Sequence, residues 1–100
     1  MASPKKSKND LNMAQAELNN LRLIINKLDE LIIQSVARRM VVSRTVGAVK
    51  RQYGLKIKDP KREKELKKIH QKLAKKNGIT YATLRKIFDL IMEESKRIQK

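Results

Sequence analysis

Apolar residues in the first half of the chain fall at Leu18, Leu21, Ile25, Leu28, Ile32, Val42, Val46, Val49 and Tyr53, in alternating steps of three and four with one polar interruption. That spacing marks one face of an α-helix, and with no Pro or Gly in the stretch before Gly47 it predicts one long helix over Leu18 to Tyr53. Gly54 stands where a C-terminal glycine cap belongs, and Leu55 to Lys58 make a short connector. Asp59-Pro60 announces a second helix, an acidic N-cap followed by proline at the first helical position, with Leu66, Ile69 and Leu73 on one face. Asn77-Gly78 ends it. Thr80 is placed to cap a third helix, Ile79 to staple onto Leu84, and the stripe continues through Leu84, Phe88, Ile91 and Ser95. The fold class that follows is all-α, one long helix and two shorter ones.

At about 1.5 Å per residue the first helix spans roughly 50 Å, whereas a compact chain of this size has a radius of gyration of about 13 Å. Two short helices cannot cover a seam that long. A second copy is expected to do so, in an intertwined two-fold homodimer. An isolated extended coiled coil is the plainer alternative, and the two capped breaks argue for folding back.

Polar residues interrupt the apolar faces. Arg39 continues the series Leu18, Ile25 and Ile32 before Val46, and Ser35 lies between Leu28 and Val42 in the neighbouring series. Lys50 is eleven residues beyond Arg39, which returns it to within about 20° of the same face, roughly 16 Å further on. Arg22 lies roughly 25 Å before Arg39 along the axis, too far to share a small ligand with Lys50 within one chain. With antiparallel long helices, Arg22 of one copy approaches Arg39 and Lys50 of the other, giving two composite sites. Asp59, Arg62 and Glu63 occupy the first turn of the second helix, and Ser95 and Gln99 extend the stripe of the third. Any one of these is explained by a snorkelling stem or a satisfied polar neighbour. Together they describe inward cations that lack a matching anion, and the missing anion reads as a ligand.

Composition narrows the chemistry. The net charge is +15, from nine basic and four acidic residues in 1–50 and sixteen and six in 51–100. Such a field attracts small dianions, nucleic acid and acidic membranes alike. Three aromatics, Tyr53, Tyr81 and Phe88, do not make a base-stacking platform. The chain has no Cys, and a lone His70, expected at the flank of the second helix's apolar face, builds neither a zinc site nor a Cys/His pair. No metal and no cofactor are expected. No apolar run approaches membrane-spanning length and residues 1–10 lack a signal-peptide core, so a cytoplasmic protein without membrane association is expected. Several fixed cations with one carboxyl, one amide and one hydroxyl suit an anion that rearranges itself, held by arginine forks and facing a lysine point charge.

The segments LRLIINKLDELIIQSVARRMVVSRTVGAVK, IKDPKREKEL and IFDLIMEESKRIQ carry a resemblance to the all-helical class of chorismate mutase, over about Leu18 to Gln99 and without a gap. The resemblance implies a monofunctional, dimeric isomerase that converts chorismate to prephenate by a pericyclic shift, on the route to phenylalanine and tyrosine. It divides the chain into a basic, partly disordered leader with the start of the first helix (1–17) and a catalytic domain (18–100). By the same resemblance, Arg22 from the partner and Arg39 clamp the substrate carboxylates, helped by Ser95 and the Asp59 backbone. Lys50 and Gln99 face the ether oxygen, Glu63 with Lys50 holds the ring hydroxyl, and Arg62 supports the carboxylate site. Arg39, Lys50, Glu63 and Gln99 are the expected catalytic groups.

Two alternatives differ in class or substrate. Isochorismate pyruvate lyases share the helical dimer and a cationic pocket, but members of that family lack the acid matched here by Glu63. A basic helical nucleic-acid-binding module is suggested by Lys67, Lys68, Lys72, Lys75 and Lys76, although lysine on a solvent face mostly serves solubility; no nucleic-acid partner is expected.

Overall fold

Three helices, α1 (Lys8–Gln52), α2 (Pro60–Asn77) and α3 (Tyr81–Gln99), follow one another with no strand among the described residues. The structure, a computed structural model, describes residues 5–100. The first four residues of the expected basic leader lie outside them. The all-α class and the order of one long helix and two shorter ones agree with the periodicity.

The long helix starts ten residues before Leu18. Ser7 and Asp10 form a reciprocal cap: the Asp10 amide donates to Ser7 Oγ at 3.1 Å, and the Ser7 amide donates to Asp10 Oδ2 at 3.2 Å. Both breaks have the geometry that their glycines suggest. Gly54 and Gly78 each adopt φ +67°, and the next residue's amide reaches back, Leu55 to the Lys50 carbonyl at 2.7 Å and Ile79 to the Ala74 carbonyl at 2.9 Å. These are Schellman closures, which satisfy carbonyls that a helix end leaves open. Asp59 caps α2 by accepting from the Arg62 amide at 3.1 Å. Thr80 holds the N-cap position of α3 but makes no side-chain capping bond; its carbonyl accepts from Thr83 and Leu84, both at 3.1 Å.

The chain divides into two units, the described residues up to Ser35 and Val36–Lys100. In the first, every described residue is exposed, and Leu21, Ile25, Leu28 and Ile32 are each more than half exposed. In the second, the buried set is small and largely polar: Met40, Ser43 and Gly47 on α1, His70 and Ala74 on α2, Ser95 and Gln99 on α3. The apolar seam of Val42, Val46 and Val49 is not what this unit buries; Val42 is 61% exposed. The buried face lies about 120° round the helix from that seam at 100° per residue.

Gly47 explains the choice. A Cβ there would stand 2.7 Å from the Gln99 carbonyl oxygen and 2.8 Å from the Gln99 Cα, so the two helix backbones meet at a spot only glycine allows. Gly47→Ala is expected to destabilise the protein by about 1–3 kcal/mol, the usual cost of overpacking. Urea unfolding checks it, and an unshifted midpoint would show that the contact yields without cost.

His70 lies in the middle of the buried face of α2, not at its flank. Its ring stacks on Phe88 with centroids 4.1 Å apart, while Ile69 and Leu73 remain 44% and 45% exposed. The helix turns this way because Leu66, His70 and Ala74 recur every four residues and Ala74 leaves room for α3. Burial, then the nearby charges of Arg39 and Arg62, hold the His70 pKa below its ordinary value of 6.5. The folded chain therefore binds this proton less readily than the unfolded chain does. Stability from neutral His70 is present above the ordinary value and is lost as pH falls through the lowered one. Between about pH 7.5 and pH 5.5, wild type is expected to lose stability that a His70→Phe variant retains. Parallel melting curves for the two across that range would refute this.

Candidate active site

Lys50 sits two residues before the last residue of α1, where the Schellman closure fixes its own carbonyl. Its Nζ donates to the Ile57 carbonyl at 2.6 Å and to Gln99 Oε1 at 2.8 Å. Neither acceptor is a carboxylate, so the ammonium charge is held in place without being cancelled. The pairing also orients the Gln99 amide: with Oε1 turned to Lys50, the Nε2 donor faces the other way, and it reaches Ser95 Oγ only at 3.5 Å. Ser95 Oγ is itself hydrogen-bonded to Ser43 Oγ, and both residues are buried.

Arg39, eleven residues before Lys50 on α1, is half-buried, and its buried Nη1 has no hydrogen-bond partner among the described residues. An unsatisfied buried donor costs about 1–3 kcal/mol, and more when charged. From the first turn of α2, Glu63 accepts from Lys96 Nζ at 3.0 Å. Arg62 is exposed and reaches Glu65 at 3.5 Å, a surface pair that contributes little. The Asp59 carboxylate is engaged as the α2 cap.

Seven of the eight expected residues, Arg39, Lys50, Asp59, Arg62, Glu63, Ser95 and Gln99, line one cavity of about 300 Å³. Val42, Val46, Leu66 and Met92 supply its apolar wall. Arg22 lies on α1 before Ser35 and is not among the lining residues. Two polar lining groups escaped the sequence reading, Ser43 and Lys96. Ser43 could have been found from the spacing Ser43-x3-Gly47, which matches Ser95-x3-Gln99 on α3. Lys96 had no local signal, because its partner is 33 residues away.

The cavity is lined by four cations (Arg39, Lys50, Arg62, Lys96) and two carboxylates (Asp59, Glu63), a net charge of +2. It offers an unpartnered guanidinium nitrogen, a fixed ammonium and an oriented amide, with no thiol or imidazole among the lining groups. Such a site can bind a dianion and stabilise charge that develops on an oxygen.

The model of the family described as chorismate mutase type II matches residues 21–100. The chain belongs to that family. A chorismate mutase of Methanocaldococcus jannaschii is 32% identical over 84 residues, covering 84% of this chain and 85% of that protein. A bifunctional chorismate mutase/prephenate dehydratase of Buchnera aphidicola is 34% identical over 94 residues, which span 94% of this chain but 23% of the larger protein. Among solved structures, a conserved hypothetical protein from Pyrococcus furiosus superposes with a TM-score of 0.67 at 32% identity, over 84% of this chain and 96% of the other. The stretch matched to the chorismate mutase type II family contains all eight expected residues. No helix among the described residues is long and apolar enough to cross a membrane.

Proposed function

We propose that the chain is a chorismate mutase, converting chorismate to prephenate in the cytoplasm as a two-fold homodimer. The net +2 cavity with its unpartnered Arg39 nitrogen carries this reading, because chorismate is a dicarboxylate. The reaction breaks an ether C–O bond as a new C–C bond forms, with no group transferred to the protein. Negative charge builds on the ether oxygen as that bond weakens. Lys50 Nζ and Gln99 Nε2 donate to it there, Arg39 takes one carboxylate, and Glu63 accepts from the ring hydroxyl. Ser95 and Arg62 support the carboxylates, and the Asp59 cap holds the turn that presents Arg62 and Glu63. Fixing the substrate in its reactive conformer supplies a further part of the acceleration.

Arg22 of the partner subunit completes the carboxylate clamp. Arg39 and Lys50 lie on α1 between its buried face and the exposed valine seam, and Val42 and Val46 line the cavity from that seam. A second long helix covering the seam therefore borders the cavity. The continuous exposed apolar positions from Leu18 to Ile32 supply the remaining area such a dimer buries.

Incubation of the purified protein with chorismate tests the reading, with loss of chorismate and appearance of prephenate expected. Absence of prephenate, with pyruvate released from isochorismate in a parallel reaction, would assign the cavity to the lyase instead.

A further inference from the structure

We propose that Arg51 is a positioning residue for this reaction, acting through Gln99; the assignment rests on the function proposed above. Gln99 is the last residue of α3, where helix carbonyls lack intrahelical donors and the final turn frays. A side chain in that turn is a poor choice for a fixed donor unless something ties the turn down. Arg51 does so: its Nη1 donates to the Gln99 main-chain carbonyl at 2.8 Å. The guanidinium also meets the negative end of the α3 dipole. Gly47, one turn earlier on the same face of α1, brings the Gln99 backbone into direct contact.

Backbone and side chain of Gln99 are thus held by consecutive residues of α1. Arg51 donates to its carbonyl from outside the cavity, and Lys50 Nζ donates to its Oε1 inside, each at 2.8 Å. With the carbonyl released, the last turn is free to unwind, the Lys50–Gln99 contact loosens, and the amide Nε2 loses its aim. Arg51 does not line the cavity, so substrate binding is left largely intact. The contact uses a single nitrogen, which a lysine ammonium can replace.

A double-mutant cycle separates this role from general support of the fold. Arg51→Met is expected to lower kcat about tenfold with KM changed less than about threefold, a loss on the scale of a sub-ångström misplacement of a catalytic group. Arg51→Lys is expected to restore kcat to within about threefold of wild type. In a Gln99→Ala background, Arg51→Met should cost nothing further, since the group it positions is gone. An equal loss in both backgrounds, or no loss in wild type, overturns the proposal. A wild-type chain that fails to turn over chorismate removes the functional reading alone. The positioning claim is then judged by amide hydrogen exchange: faster exchange at Ile98, Gln99 and Lys100 in Arg51→Met upholds it, and unchanged exchange overturns it.

Discussion

Lys50→Ala is expected to lower kcat by about 10²–10³, the loss usually seen when one donor to a developing oxyanion is removed. The size follows from how little else can replace it. Lys50 is held by two neutral acceptors, Ile57 O and Gln99 Oε1, so its charge reaches the cavity uncancelled and needs no reorganisation during reaction. Lys96, the other lysine lining the cavity, is engaged by Glu63 at 3.0 Å, and Arg39 and Arg62 are assigned to carboxylates. Because the ether oxygen gains charge only as its bond breaks, the loss should fall on kcat more than on KM. Lys50→Arg should also lose activity, since a planar fork cannot meet Ile57, Gln99 and the substrate as a compact ammonium does. Turnover within about threefold of wild type in Lys50→Ala would remove the residue from this role.

The same geometry shows how far the sequence could be read. Helix breaks were legible because they are written locally: Gly54 and Gly78 adopt the left-handed conformation that glycine favours, and Asp59-Pro60 caps and starts α2. The start of α1 is placed only within residues 1–17, because the stripe of Leu11, Ala14 and Leu18 does not mark the Ser7–Asp10 cap that precedes it. The convergence of Arg39, Lys50, Glu63, Ser95 and Gln99 could be anticipated from polar residues on apolar faces together with the family resemblance. Counting apolar positions finds the seam expected to meet a second copy and misses the face of α1 that a single chain buries. Val42, Val46 and Val49 stay exposed, while Ser43 and Gly47 are buried, because small residues let α3 approach and periodicity assigns them no weight. The placement of His70 failed for the same reason: apolar counting ignores a polar ring whose neighbour is Phe88. Arg51 and Lys96 gave no signal at all, since each acts on a residue distant in sequence.

Arg22 is the one expected site residue that does not line the cavity of a single chain, and the second large effect is expected there. Arg22→Ala should reduce activity severely, because one substrate carboxylate then loses a bidentate partner. If that arginine comes from the neighbouring copy, the defect can be cured in trans. Mixing Arg22→Ala chains with Lys50→Ala chains and allowing exchange gives heterodimers in which one site has both defects and the other has neither. Random exchange makes about half of all dimers heterodimers, so about a quarter of wild-type activity should return from two nearly inactive proteins. Chorismate consumption by that mixture, with exchange verified by mass spectrometry of differently tagged chains, is the decisive measurement. Recovery near that level means each cavity is completed by its partner's Arg22; activity no higher than that of the separate mutants, despite proven exchange, would mean that it is not.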